Sequence, residues 1–278
     1  MKNNINIYCI THKIVPLIEE LGLMPFGAGI NQYPPSYLKD NSGINIAKKN
    51  ENYGDLTFHY WYWKNHKLKD SNRLIGICDY RRFFIQPKFE NNIKNNSISI
   101  NDLKKIIIKN TLEEWCNYDV ILRKPIDLTN IKFAKLIKKN FMALIFNPGI
   151  IFFKKYRTIK LQFDTFHERG LLSLATNLLN DSDKKDFEKY CNTRTQLAAN
   201  SSFICREKIL YNFYPILFDW LFKCEDQFKN KRLEGYGLKR IYTFLAERFI
   251  PFWFEKYYKT TTCPWVFYDS TNLKKICL

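Results

Sequence analysis

The stretch "RLIGICDYRRFF", residues 73 to 84, begins as an apolar run and ends in a carboxylate, a phenol and two adjacent guanidinium groups. A short Ile-rich run bounded by polar chain reads as a buried strand. In open α/β sheets, ligands sit at the carboxyl ends of strands, where loops converge on a crevice that packed strand interiors cannot provide. Asp79, Tyr80, Arg81 and Arg82 stand at such an end. Successive residues of an extended chain face opposite sides, so one arginine is expected to enter the crevice while the other braces a loop or pairs with an acid. An arginine facing a diphosphate offers permanent charge and bidentate hydrogen bonds. A purely structural Asp–Arg network is the alternative, and the residues alone leave it open.

Working outward, the first half alternates short apolar runs with helical patterns, as an α/β layer fold does. Strands are expected at "INIYCIT" (5 to 11), "LIGIC" (74 to 78) and "DVIL" (119 to 122), with one or two more from "FMALIFNPGIIFF" (141 to 153). Helices are expected over 53 to 66 and over 101 to 116, the latter capped by Asn101 or Asp102. Tyr53, Leu56, Tyr60 and Trp63 fall at helical spacing and predict a packed face. Residues 24 to 50 and 85 to 100 read as loops. From about residue 157 the texture changes to long helical patterns, so residues 1–156 are expected to form the sheet-bearing region. Residues 157–278 are expected to form a helical region packed on it within one compact unit.

Apolar residues make up 46% of the 278 and aromatic residues 17%, which excludes a disordered chain. Lys and Arg outnumber Asp and Glu by 44 to 27, a net +17 that favours phosphate-bearing ligands, anionic lipid or another polyanion. The basic runs "DLKKIIIKN" (102 to 110) and "KFAKLIKKN" (132 to 140) read as solvated faces of amphipathic helices, with a membrane-binding face as the alternative. Eight cysteines are scattered without a CxxC pair or zinc-finger spacing and read as reduced thiols. The amino terminus lacks a secretory pattern, and the longest apolar run is about half a membrane span. The expected location is the cytoplasm, with peripheral association at the inner face of the plasma membrane. No nucleic-acid motif is present, so nucleic acid is not an expected partner. Asp181-Ser182-Asp183, the one literal Asp-x-Asp, reads as a solvated turn.

Several motifs together resemble a known family. "DNSGINIAKKNENYGDLTFHYWYWKN" (40 to 65) followed by "LIGICDYRRFF" (74 to 84) is similar to a paired signature. It runs Asp-x-x-Gly-x-Asn-Ile, then Asn-x-x-Tyr-x-Glu-Leu-Thr-x-x-Tyr-Trp-x-Trp-Lys-Asn, then Gly-Leu-x-His-Tyr-Arg-Arg-Tyr-Phe. It belongs to a bacterial family catalogued as domain of unknown function 4422, whose members are assigned to capsular and exopolysaccharide glycosyl transfer. "YCITHK" (8 to 13), "NSSFICREKILYNFYPILFDWLF" (200 to 222) and "FLAERF" (244 to 249) extend the resemblance.

The resemblance implies a GT-A-like nucleotide-sugar-binding fold, a UDP-sugar donor (galactopyranose or galactofuranose) and a growing glycan or lipid-linked glycan as acceptor. Carried over by position, donor binding falls to Thr11, His12 and Lys13 after the first strand, and to Asn50, Tyr53, Thr57 and Lys64 in the second motif. Tyr80, Arg81 and Arg82 in the third motif and Arg248 in the last helix complete the set. Trp61 and Asn65 also match. His167 falls where the family tends to carry a histidine, with a capping or core role as its other reading.

Asp79 stands where the family has His, and Asp55 where it has Glu. Asp79, Asp55 and Glu247 are the candidates for catalytic acid/base work. Asp79 has two readings, as a ligand for a divalent cation (Mn or Mg) bridging the donor phosphates, or as an anchor for Arg81 or Arg82 with no metal needed. No metal ligand is assigned. A non-catalytic polyanion-binding protein and a degenerate, donor-binding family member are the alternative functions.

Overall fold

The computed structural model describes residues 5–68, 73–92, 98–130, 141–142 and 144–269. The chain divides into two compact units. The first takes Met1–Lys124, Ser201–Pro215 and Tyr257–Leu278, and the second takes Pro125–Asn200 and Ile216–Lys256.

The strands, in chain order, are β1 (Asn6–Thr11), β2 (Met24–Gly27), β3 (Leu38–Lys39), β4 (Leu74–Asp79), β5 (Arg82–Phe84), β6 (Val120–Arg123), β7 (Ile126–Asp127), β8 (Gln196–Leu197), β9 (Phe203–Arg206), β10 (Thr260–Cys263) and β11 (Trp265–Phe267). The longer helices are α1 (Leu56–Asn65), α2 (Ile100–Ile106), α3 (Ile159–Phe166), α4 (Leu171–Asn177), α5 (Asp181–Thr193), α6 (Glu207–Phe228) and α7 (Ile241–Tyr257).

In the first unit one mixed sheet runs β10-β6-β9-β4-β1-β2-β3, with β5 on β4 and β11 on β5. β1 pairs in parallel with both β2 and β4, while β9 runs antiparallel between β4 and β6. The central strands are apolar almost throughout, as strands covered on both faces must be. Ile7, Cys9, Ile75, Ile77, Ile121 and Ile204 are all buried. The register sets Ile10 beside Asp79 and Thr11 beside Gly27, so β1, β2 and β4 end level with one another.

Helix α1 buries Leu56, Thr57, Phe58, His59 and Tyr62. Phe58 packs on the rings of Tyr8 and Phe26 at 5.5 and 4.5 Å. Its packed face is turned from the expected one. Tyr60 and Trp63 are half-buried and stack edge-on to each other at 5.8 Å.

Four local expectations are corrected. The cap of α2 is Ser99, whose hydroxyl accepts the Asp102 N–H. That helix stops at Ile106 because Ile107 turns extended and bridges to Ile85. Residues 24 to 50 are not all loop, since β2 and β3 extend the parallel sheet. The run 141 to 153 forms no strand among its described residues: Pro148 opens a single helical turn, Gly149–Phe152, and most of the apolar side chains face solvent. Residues 132 to 140 lie outside the described residues.

In the second unit β7 and β8 form a two-stranded ribbon, and helices build the rest of its core. Phe187 of α5 meets Trp220 of α6 and Phe249 of α7 at 6.0 and 5.5 Å. Asp181-Ser182-Asp183 is the first turn of α5 rather than a solvated turn. Asn180 caps it by accepting the Asp183 N–H, and Asp183 is buried with Lys256 Nζ at 2.9 Å. The aromatic stretch 250 to 268 is largely internal. Ile250, Phe252, Trp253 and Phe254 are buried, and β10 and β11 join the sheet.

Candidate active site at the ends of the parallel strands

The level ends of β1 and β4 gather most of the charged candidates of the first unit. After β1, the Thr11 hydroxyl donates to the Lys13 carbonyl at 2.7 Å and accepts the Lys13 N–H at 3.2 Å, a tight turn that leaves His12 and Lys13 exposed. After β4, Tyr80 is buried, and its hydroxyl lies 3.5 Å from His12 Nε2. Lys13 Nζ and the Arg81 guanidinium stand 5.8 and 5.1 Å from the Tyr80 ring centre. One phenol ring therefore carries a histidine and two cations.

The two arginines part for a reason other than the expected alternation of an extended chain: Tyr80 and Arg81 form the two-residue turn between β4 and β5, and Arg82 opens β5 opposite Asp79. Arg82 Nη1 donates to Asp79 Oδ2 at 3.3 Å, and its guanidinium lies over Phe267. Arg81 donates only its backbone N–H to Asp79, at 3.0 Å, and its Nε is buried without an acceptor among the described residues. A buried guanidinium N–H lacking an acceptor is costly unless a ligand oxygen supplies one. A third arginine, Arg123 at the end of β6, reaches Asp79 Oδ2 at 3.7 Å and lies over the Trp265 ring at 4.0 Å. Arg123, Trp265 and the Tyr268 N–H that binds the Arg81 carbonyl were not among the sequence candidates. The criterion that found Asp79, a polar group ending an apolar strand, applies equally to "VILR" and would have found Arg123.

This geometry bears on the two readings of Asp79. Its carboxylate already accepts from Arg81 and Arg82 and is paired with Arg123. Among the described residues no three His, Cys, Asp or Glu side chains gather as a metal site. The carboxylate has both oxygens engaged by N–H donors, Oδ1 by the Arg81 backbone and Oδ2 by Arg82. It suits an anchor that fixes arginines.

The residues of the first two motifs lie on and beneath the loop after β2 and along α1. Asp40 is fully buried and its Oδ1 accepts the Gly29 N–H at 2.8 Å, just past β2. Burial, opposed in part by the Thr57 hydroxyl and the Gly29 N–H, pushes its carboxyl up to about 6. Asn50 donates to the Gly54 carbonyl and to the Thr57 hydroxyl, at 2.7 and 3.0 Å. Gly29 has φ +87°, and a Cβ there would meet Asn50 at 3.0 Å. Tyr53 and Thr57 are fully buried. Asn50, beside Gly29, and Thr57, bonded to Asp40, thus support the loop after β2, while Tyr53 is buried in the core. Asp55 is half-buried at the start of α1, and Lys64 is exposed at its far end, 3.4 Å from the Trp63 ring centre.

Asn65 explains why the first two motifs occur together. Its side chain accepts the Ile44 N–H at 3.0 Å and donates to the Ile44 carbonyl at 2.7 Å, as a neighbouring strand would. Trp61 adds a bond from its indole to Ser42 Oγ at 3.1 Å. Gly43 is required because its φ is +55° and a Cβ would fall 2.0 Å from Asn65 Oδ1.

Two further buried groups were not anticipated. Tyr62 donates to Glu207 Oε1 at 2.7 Å, and His66 Nε2 lies 3.2 Å from the same oxygen. His59 is fully buried with Nδ1 3.0 Å from the Tyr214 hydroxyl, and burial lowers it to about 3, so it stays neutral.

Glu247 and Arg248 belong to the second unit. Arg248 donates to Glu247 Oε2, Gln162 Oε1 and the Phe244 carbonyl at 2.9, 2.7 and 2.9 Å. These residues line a cavity of about 680 Å³ with His167, Phe166, Glu234, Tyr236 and Phe244. His167 stacks on Phe244 at 4.2 Å, and its Nδ1 is 2.7 Å from the Gly237 carbonyl. Two carboxylates, one arginine and several ring faces line this space, which suits an uncharged, hydroxyl-rich ligand better than a phosphate.

This mixed α/β fold is shared with a glycosyltransferase of known structure. The apo structure of WbbM, a bifunctional glycosyltransferase, superposes with a TM-score of 0.63 at 19% sequence identity. The match covers 96% of this chain and 46% of WbbM, so the chain spans about half of that protein's length. The model of the domain of unknown function family DUF4422 matches residues 6–259, and the chain belongs to this family. No curated protein matches it.

Proposed function

We propose that the chain is a glycosyltransferase that moves a sugar from a UDP-sugar to a growing surface glycan, capsular or exopolysaccharide in kind. The observation that carries the reading is Arg81 at the end of β4. Its buried Nε lacks a protein acceptor among the described residues, and its guanidinium shares the Tyr80 ring with Lys13. Such a group supplies fixed N–H donors and charge to a diphosphate. As the bond between the sugar and the diphosphate breaks, charge on the departing nucleotide grows, and preorganised cations stabilise it more than they stabilise the bound donor. Asp79 positions the cluster through Arg82, Arg123 and the Arg81 backbone, and no step requires a divalent ion.

The cavity of the second unit is proposed to bind a sugar of the growing glycan. There Tyr236 and Phe244 offer ring faces, and Glu247, held by Arg248, accepts hydroxyl groups. The uridine base and the galactose rest on the family resemblance. The test is transfer of labelled sugar from a panel of UDP-sugars to lipid-linked glycan. Release of UDP that depends on acceptor, survives chelation and is lost in Arg81→Ala supports the proposal. Transfer that needs manganese, or none from any nucleotide sugar, counts against it.

A further inference from the structure

Residues 141 to 156 of the second unit present a surface that the transferase reading does not use. Phe141, Met142, Ile145, Phe146, Ile151, Phe152, Phe153 and Tyr156 all face solvent, Phe146 at 71% and Phe152 at 75% exposure. A run of large apolar side chains this dense is far from the scattered exposed hydrophobics of an ordinary surface. Behind them a small core of Leu144, Ile150 and Leu161 fixes the segment. Arg157 clamps it further by donating to the carbonyls of Thr129, Ile150 and Ile151 at 2.6, 3.2 and 3.1 Å. The apolar side chains are thus displayed from a braced scaffold.

Cations are interleaved with these rings. Lys155 Nζ lies 5.8 and 5.2 Å from the ring centres of Phe153 and Tyr156, and the Arg169 guanidinium lies 5.7 Å from that of Phe146. In the sequence no Asp or Glu occurs between Asp127 and Asp164, an interval holding eight Lys and Arg residues: Lys132, Lys135, Lys138, Lys139, Lys154, Lys155, Arg157 and Lys160. Aromatic and aliphatic side chains beside lysines, with Asp127 as an acidic neighbour of Lys154, match the interface of an anionic bilayer. There apolar groups enter the acyl boundary while cations stay among the headgroups. Nucleic acid would use the charge but leave Met142, Ile145 and Ile151 in water.

We propose that residues 141–156 dock this protein on an anionic lipid surface, with Phe146 and Phe152 inserted and Lys154 and Lys155 at the headgroups. No helix among the described residues is long and apolar enough to cross a membrane. The inference is independent of the transferase reading.

The test is co-sedimentation of the full chain with phosphatidylcholine vesicles, with and without phosphatidylglycerol, at low and high salt. Wild type is expected to bind the anionic vesicles. The double variant Phe146→Ser/Phe152→Ser is expected to bind at least about tenfold more weakly at an unchanged melting temperature, because the lost side chains are exposed. Lys154→Glu/Lys155→Glu is expected to lose the preference for phosphatidylglycerol, since each lysine is worth roughly fivefold near an anionic surface. Failure of wild type to bind either vesicle, or binding unchanged in the serine variant, overturns the proposal. So does a dimer, seen by sedimentation velocity, that the serine variant abolishes while vesicle binding persists. RNA binding that is lost in the glutamate variant but not in the serine variant, without vesicle binding, assigns the surface to nucleic acid instead.

Discussion

Asp79 and Arg123 end neighbouring parts of one sheet, and their side chains meet at 3.7 Å with Arg123 buried against Trp265. Because Arg82 shares the same carboxylate, one anion balances two guanidinium groups at the strand ends. Removing it exposes an imbalance that water cannot fully relieve at Arg123. Asp79→Asn keeps the hydrogen bond to the Arg81 N–H but loses the charge. It is expected to destabilise the fold by about 2–3 kcal/mol in denaturant unfolding, with a larger loss than Asp79→Glu.

Asp40 gives a pH dependence whose sign is fixed. Its carboxyl is raised to about 6 in the fold against an ordinary value of 3.8, so the fold prefers the protonated form. The stability it contributes is complete below about 4 and is lost as pH rises through 6. Asp40→Asn mimics the protonated form. Its stability relative to wild type should therefore increase from pH 4 to pH 7 by about 2 kcal/mol, because each tenfold change in proton affinity is worth about 1.4 kcal/mol. His59, lowered to about 3, acts oppositely: its contribution is present above pH 6.5 and is lost as pH falls toward 3. It is common to both proteins and cancels in the comparison. Equal pH profiles for the two would contradict the burial of Asp40.

Gly43 and Asn65 test whether the paired motif is a scaffold. Gly43→Ala strains a φ of +55° and drives a Cβ into Asn65, with an expected cost of about 2–3 kcal/mol. The melting temperature should fall while the dissociation constant for UDP stays within about twofold in the folded protein. A large loss of UDP affinity at unchanged stability would place the motif in the donor site.

The second unit's cavity is tested by separating the two substrates. Tyr236→Ala removes an exposed ring, and Glu247→Gln removes the carboxylate charge while keeping an acceptor for Arg248. Each is expected to raise the acceptor KM about tenfold, equivalent to about 1.4 kcal/mol, and to leave the donor KM unchanged. A rise in the donor KM alone would assign the cavity to the nucleotide.

Much of this was legible in the sequence, for identifiable reasons. β1, β4 and β6 are short buried runs with few competing readings. Arg81 and Arg82 take different roles, but not through the alternation of an extended chain: Arg81 sits in the two-residue turn after β4, while Arg82 opens β5 and pairs with Asp79. β2 was hidden because "MPFG" is four residues with a proline and a glycine, and its strand character comes from pairing with β1 rather than from local preference. The run 141 to 153 misled because apolar content alone does not distinguish a buried strand from an exposed apolar surface. The partners that hold the site, Arg123 and Trp265, lie far apart in sequence and meet only through the sheet.

The central claim is that Arg81 binds the donor diphosphate without a metal. It is tested most directly by thermal unfolding of wild type and Arg81→Ala with UDP and UDP-sugars, in EDTA and in manganese. At a ligand concentration about a hundred times the dissociation constant, binding adds about 2.7 kcal/mol to stability. The account predicts that a uridine ligand raises the wild-type melting temperature equally in EDTA and in manganese, and that the folded Arg81→Ala protein shows no such rise. A rise that appears only with manganese, or that survives in Arg81→Ala, would contradict it.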